Sequence, residues 1–304
     1  MSEQEKPKDL INIPRNISWQ EHDEIVSTFN KEQFLEGVRY YMKEFADHVG
    51  GDVIDYDIPT INDSSFLLRK DVGSNVDIYL LPSGKGQVCL SMDDFLTESP
   101  IPVNIIEPLC SNGFNCHLIN AVDVLPYPYR PVLPLDITNE DDLACHRHWE
   151  QVISIVKQQY KPGQRIFLVG HSSSALTLMR LSMVYAEDIA KYVSGLIVMA
   201  PKYIRKDANG GYGDIVKTLP VLAIHHKLDQ CAFTPAKPHE LYFKHMCKSP
   251  LSKFVYVEGG ATKDVDDPCW GDTYHSFYQS EHKVVDEITN FIKGVINADP
   301  IQPS

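Results

Sequence analysis

The stretch "RIFLVGHSSSALTLMRL", Arg165 to Leu181, carries three consecutive serines between an apolar strand-like run and an apolar helix-like run. Gly170 stands two residues before Ser172, as in the G-x-S-x-G turn that passes a strand directly into a helix. In so tight a turn, bulky residues two positions either side of the central serine would collide. Gly170 meets that requirement, and Ser174, where the second glycine falls, is a modest departure. This geometry makes Ser172 a nucleophile and Ser174 a small packing residue. It aims the backbone N–H of Ser173 at a developing oxyanion by the helix N-terminus. The plain alternative is a serine that caps a helix.

A serine hydroxyl needs a base, and the base needs an acid to orient it. Asp229 follows at once on the strand-like "PVLAIHHKLDQC", and His275 follows "KFVYVEGG" and a loop, just ahead of the last helical run. Ser172, Asp229 and His275 thus each lie just past a strand, which is a stronger signal than any one of them. Asp214 and Asp123 are weaker acids, because neither directly follows the strand after the nucleophile's neighbour. His225 and His226 fall within or at the end of a strand and read as structural. In "CHRHW" (Cys145 to Trp149) the two histidines would point to different faces of a helix, which discounts a metal site. Asp264, Asp266, Asp267 and Asp272 read as a solvated acidic loop rather than a calcium site.

The elements that would position these residues follow from periodicity. Ser18 to Glu21 has the pattern of a capping box. Residues 31 to 49 place Phe34, Leu35, Val38, Tyr41, Met42, Phe45 and Val49 on one helical face, with Gly50-Gly51 as a stop. That second helix reads as packed on the domain; an arm that covers a pocket or pairs two copies into a homodimer is the alternative. Next come the strand patterns "DVIDYDIPTI", "SSFLLRK", "VDIYLLP" and "GQVCLSM", a helix over about 101–112, and the strand "NCHLINAVDV". The Pro- and Tyr-rich "LPYPYRPVLPLDI" excludes helix. A helix over about 140–160, "RIFLV", "VSGLIVMAP", "LPVLAIHH", "KFVYVEGG" and a helix over about 280–296 complete the chain. Apolar strands alternating with helices predict a mostly parallel, doubly wound sheet with its site at the strands' C-terminal ends. The expected organisation is a tail and helical extension over 1–50, one domain over 51–296 and a C-terminal tail over 297–304.

Over about residues 52–296 this pattern resembles the α/β-hydrolase superfamily, in which the nucleophile is followed first by the acid and then by the histidine. A narrower likeness is carried by "VLAIHHKLDQCAFTP" and "VEGGATKDVDDPCWGDTYHSF", which look like a little-characterised, mostly bacterial hydrolase group with H-H-x-x-D-x-C-x-x-T-P and G-G…P-C…H. That likeness implies a bridge between Cys231 and Cys269. The superfamily puts H-G-x at the end of the strand that here reads "QVCLSMDDF". Ser91-Met92-Asp93 stands there instead, so the backbone N–H of Met92 or Asp93 is the expected second oxyanion donor. The resemblance implies an acyl transfer that needs no cofactor.

Composition sets outer limits. The 304 residues, 43% hydrophobic and 23% charged, suit one large globular domain. A net charge of −13 argues against binding nucleic acid or anionic membrane. No apolar stretch is long enough to span a bilayer and the N-terminus has no signal-peptide pattern, so a cytoplasmic enzyme is expected. Seven cysteines would there be mostly reduced. Too few residues lie between Pro201 and Leu219 for a large cap, leaving Tyr127, Tyr129, Trp270, Tyr274 and Phe277 as candidate pocket walls. The expected substrate is a small or medium ester or thioester. A peptidase or amidase, and a silent binding protein on the same fold, are the other readings.

Overall fold

A computed structural model describes residues 39–40, 42–43, 46–58, 63–81, 101, 104–120, 140–202, 211–263, 268–269 and 271–298. Its centre is an eight-stranded sheet: β1 (Asp52–Ile58), β2 (Asp63–Lys70), β3 (Val76–Leu81), β4 (Asn115–Asn120), β5 (Arg165–His171), β6 (Gly195–Met199), β7 (Val221–His226) and β8 (Lys253–Val257). The spatial order is β1-β2-β4-β3-β5-β6-β7-β8. Strand β2 runs antiparallel to both its neighbours, and every other pair is parallel. The inner strands are apolar on both faces because both faces are covered. Ile78, Leu80, Phe167, Val169, Ile197 and Ile224 face one core. The alternate Tyr79, Leu81, Ile166, Leu168, Leu196 and Ala223 face the other.

Helices α1 (Ile106–Ser111) and α6 (Glu281–Ala298) cover the first core through Ile106, Leu109, Val284, Ile288 and Ile292. Helix α2 (Glu140–Gln159), α3 (Ser173–Val184), α4 (Ala186–Tyr192) and α5 (Ala236–Met246) cover the second. Sequence periodicity finds α1, α2, α3 and α6 but not α4 or α5; α4 is only seven residues long, and the buried face of α5 is partly polar, His239 standing with Phe243 and Met246. Helical residues between 39 and 49 bury Met42 and Ala46 in the first core, so this part of the N-terminal segment packs on the domain. The capping box, the "GQVCLSM" strand and the Pro/Tyr loop lie outside the described residues.

The neighbour of β5 is β3, which ends at Leu81. "VDIYLL" is buried along its whole length, and its one charged residue, Asp77, is hydrogen-bonded to Asn115 and His117. Met92 and Asp93 lie outside the described residues.

Candidate active site

Strand β5 delivers the serine run to the C-terminal edge of the sheet. Ser172 follows it directly with φ 55° and ψ −115°, a conformation in which L-residues are strained, typically by about 1–3 kcal/mol. Backbone bonds on both sides hold it there. Its N–H donates to the Met199 carbonyl at 2.9 Å, and its carbonyl accepts from Lys202 N–H at 3.0 Å and from Leu176 N–H at 3.3 Å. Gly170 is required sterically, since a Cβ there would lie 2.6 Å from the Ser174 carbonyl oxygen and 2.7 Å from the Ala175 nitrogen. Ser172 occupies the cap position of α3, yet its side chain makes no capping hydrogen bond. That separates it from an ordinary capping serine. Ser173 is the first residue of α3.

Ser174 does more than pack. Only 3% exposed, its hydroxyl accepts from the His171 N–H at 2.9 Å and lies 3.0 Å from the Leu81 carbonyl and 2.9 Å from that of His171. A glycine could make none of these contacts. The serine therefore ties the turn to the end of β3.

Asp229 follows β7, and its carboxylate is buried and fully used. Oδ1 accepts from the Cys231 N–H at 2.8 Å; Oδ2 accepts from the Thr234 hydroxyl at 3.1 Å and from His275 Nδ1 at 3.1 Å. Burial opposes its charge, but the His275 hydrogen bond and charge, the Cys231 N–H and the Thr234 hydroxyl outweigh burial, and the carboxyl is held below its ordinary value. His275 sits in a short 3-10 turn, Tyr274–Ser276, and is buried. Since a carboxylate only accepts, the proton sits on Nδ1 and Nε2 is left as the basic nitrogen.

The main chain of His275 is held as well. Its N–H donates to Thr273 Oγ1 at 3.2 Å, and Thr273 Oγ1 in turn donates to the Pro268 carbonyl at 2.9 Å. Its carbonyl accepts from His171 Nε2 at 2.9 Å, and the two rings lie 4.7 Å apart between centroids. His171 immediately precedes Ser172, so the base loop is fastened to the residue beside the proposed nucleophile. Burial, and then the neighbouring His275, pull His171 well below the usual histidine range, so it donates as a neutral ring. Cys231 and Cys269 form a disulfide that joins the loop of Asp229 to the loop ahead of His275.

Tyr274 borders a cavity of about 400 Å³ beside these two loops, together with Leu228, Gln230, Lys263 and Thr273. Its ring stacks on His226 at 4.6 Å. Phe277 is corrected as a pocket wall: it is 0% exposed and packs in the core edge-on to His171 and His226. Its left-handed backbone, φ 58°, turns the chain inward after the 3-10 turn. Tyr127, Tyr129 and Trp270 lie outside the described residues.

Asp214 is exposed and paired with Lys217. His225 belongs to a buried chain, bonded to His239 at 2.7 Å, which is bonded to Tyr212 at 2.6 Å. Among the described residues no group of three or more His, Cys, Asp or Glu side chains could hold a metal ion. No described helix is long and apolar enough to cross a membrane. Sequence reasoning did not assign roles to Thr234, Thr273, His171 or the hydroxyl of Ser174. Thr234 and Ser174 occupy motif positions, but residue type and spacing do not reveal these contacts, and only the approach of distant loops gives each residue its partner.

Sheet order and site together define the α/β-hydrolase fold, and comparison with solved structures gives the same result. EstE1, a thermophilic carboxylesterase cloned from a metagenomic library, is similar at a TM-score of 0.51 and 13% identity, covering 91% of this chain and 99% of its own. Est1E from Butyrivibrio proteoclasticus is similar at 0.51 and 14%, covering 81% and 99%. A soluble variant of monoglyceride lipase from Saccharomyces cerevisiae is similar at 0.51 and 12%, covering 81% and 95%. No protein-family model matches the sequence, and no curated relative matches it.

Proposed function

We propose that this protein is a serine hydrolase that cleaves a carboxylic ester or thioester through an acyl-enzyme on Ser172. The observation that carries the reading is the strained Ser172, whose hydroxyl caps no helix although it stands at a cap position. The hydrogen-bonded Asp229–His275 pair, fastened through His171 to the same turn, supports it. So does a fold shared with a carboxylesterase and a monoglyceride lipase.

In this mechanism His275 Nε2 takes the hydroxyl proton as Ser172 Oγ attacks the acyl carbon. Negative charge moves onto the carbonyl oxygen, where the Ser173 N–H donates to it. A second donor is sought in the segment after β3, in which Met92 and Asp93 lie. The leaving alkoxide or thiolate departs with the proton from the imidazolium. Water then repeats the sequence, releases the acid and restores Ser172. Asp229 stays ionised throughout and holds Nδ1.

The test is labelling by a fluorophosphonate probe, followed by turnover of p-nitrophenyl esters of increasing chain length, thioesters and anilides. Ser172→Ala should abolish labelling and lower turnover on the order of 10⁴-fold or more. Equal labelling of both proteins would move the nucleophile elsewhere. A folded wild type that neither labels nor turns over would return the silent-binding reading. Anilides cleaved faster than esters would make the enzyme an amidase.

A further inference from the structure

Thr234 stands in "DQCAFTP", three residues after Cys231 and one before Pro235. It is 1% exposed, and nothing in its type asks for a hydroxyl at so dry a position unless the hydroxyl is used. Its Oγ1 lies 3.1 Å from Asp229 Oδ2 and 3.2 Å from His275 Nδ1, while those two atoms are themselves 3.1 Å apart. Three polar atoms thus form a nearly equilateral triangle.

Counting protons fixes the directions. The carboxylate only accepts, the ring supplies one Nδ1–H, and the hydroxyl supplies one O–H. The other acceptor within reach of that O–H is the Cys231 carbonyl at 3.5 Å, which is the longer contact. The hydroxyl therefore donates to Asp229 and presents a lone pair to the ring, so Nδ1–H is shared between carboxylate and hydroxyl oxygen. The Thr234 N–H donates to the Cys231 carbonyl at 3.1 Å, and Cys231 is bridged to Cys269. The hydroxyl is thereby anchored to both loops.

We propose that Thr234 is a positioning residue of the acid–base pair: its hydroxyl fixes the plane of the His275 ring and shares the charge of the imidazolium formed during turnover. The inference rests on the hydrolase reading above for its kinetic consequence but not for its geometry. A carboxylate alone is a single hinge about which the ring can swing; two acceptors on one N–H remove that freedom. An aligned base is worth much of a catalytic proton transfer.

The test compares wild type, Thr234→Val, which keeps the shape and removes the hydroxyl, and Thr234→Ser, which keeps the hydroxyl. The readouts are kcat and KM on the best ester and the His275 Nδ1–H resonance in histidine-labelled protein. Thr234→Val is expected to lower kcat about tenfold, the equivalent of one hydrogen bond to a charged group. KM should stay within about twofold, because ground-state binding is untouched. The resonance should move, and Thr234→Ser should restore both rate and resonance. Wild-type kcat and resonance in Thr234→Val would overturn the proposal. So would equal damage in Thr234→Ser, which would make the residue a packing element only. If wild type neither labels nor turns over, the hydrolase reading fails separately and the resonance alone decides: moved in Val and kept in Ser supports the tether, unmoved in Val refutes it.

Discussion

Removing the bridge between the Asp229 loop and the loop ahead of His275 is the perturbation whose size the structure sets most directly. Cys231 and Cys269 are 38 residues apart, and the loop they close contains α5 and β8. Loop-closure entropy for a ring of that size amounts to about 4 kcal/mol at 25 °C, and measured losses for such bridges run from about 2 to 4 kcal/mol. The double variant Cys231→Ala/Cys269→Ala should therefore lose about 2–4 kcal/mol in urea unfolding, with an m-value no lower than wild type because the unbridged denatured chain is more extended. Activity should become heat-labile before the fold does, because Asp229 Oδ1 takes its hydrogen bond from the Cys231 N–H. A chemical count gives an independent check. Denatured, unreduced protein should titrate two fewer free thiols than reduced protein, with Cys110, Cys116 and Cys247 among those free in both. Equal thiol counts, or a double variant as stable as wild type, would refute the reasoning.

Two further outcomes follow from buried polar groups. Ser174→Gly restores the usual small-residue pattern of the turn yet should destabilise the protein by about 1–3 kcal/mol, since it strands the His171 N–H and the Leu81 carbonyl in a dry site. Urea unfolding checks it, and a variant at least as stable as wild type would show that those bonds contribute nothing. Acid should also act through the buried histidines. Burial pushes His239 down to about 3, and burial followed by the charge of His239 pulls His225 down too. A ring neutral in the fold but ordinary once unfolded binds its proton on unfolding, so stability is full above about pH 6.5 and falls as pH drops below it, the His239 contribution levelling off near pH 3. His239 alone should cost about 2 kcal/mol between pH 8 and pH 5. Urea midpoints that do not fall over that interval would contradict the burial of this chain.

Much of this site is written in local sequence because local rules govern it. A buried apolar strand, a glycine two residues before Ser172 and an apolar helix behind it leave the chain one way to turn. The strained φ of 55° follows from that turn. Asp229 and His275 are legible for a related reason: in a parallel sheet every strand ends on the same side, so residues just past successive strands converge. Phe277 is not legible. An aromatic residue two positions after His275 looks like a pocket wall until the left-handed turn swings it into the core. Nor is the strand order legible: that "VDIYLL" pairs with β5 is set by pairing across the sheet and not by its own propensity.

By itself, then, the sequence determined the alternation of elements, the small residues of the serine turn and the order Ser172, Asp229, His275, each through forces acting over a few residues. Tertiary structure alone decided which buried hydroxyls and rings serve that framework. His171 meets the His275 carbonyl across 104 residues, Thr234 meets His275 Nδ1 across 41, and Ser174 meets Leu81 across 93. A hydrogen bond specifies a direction and a distance, and neither exists until packing has brought its two ends together.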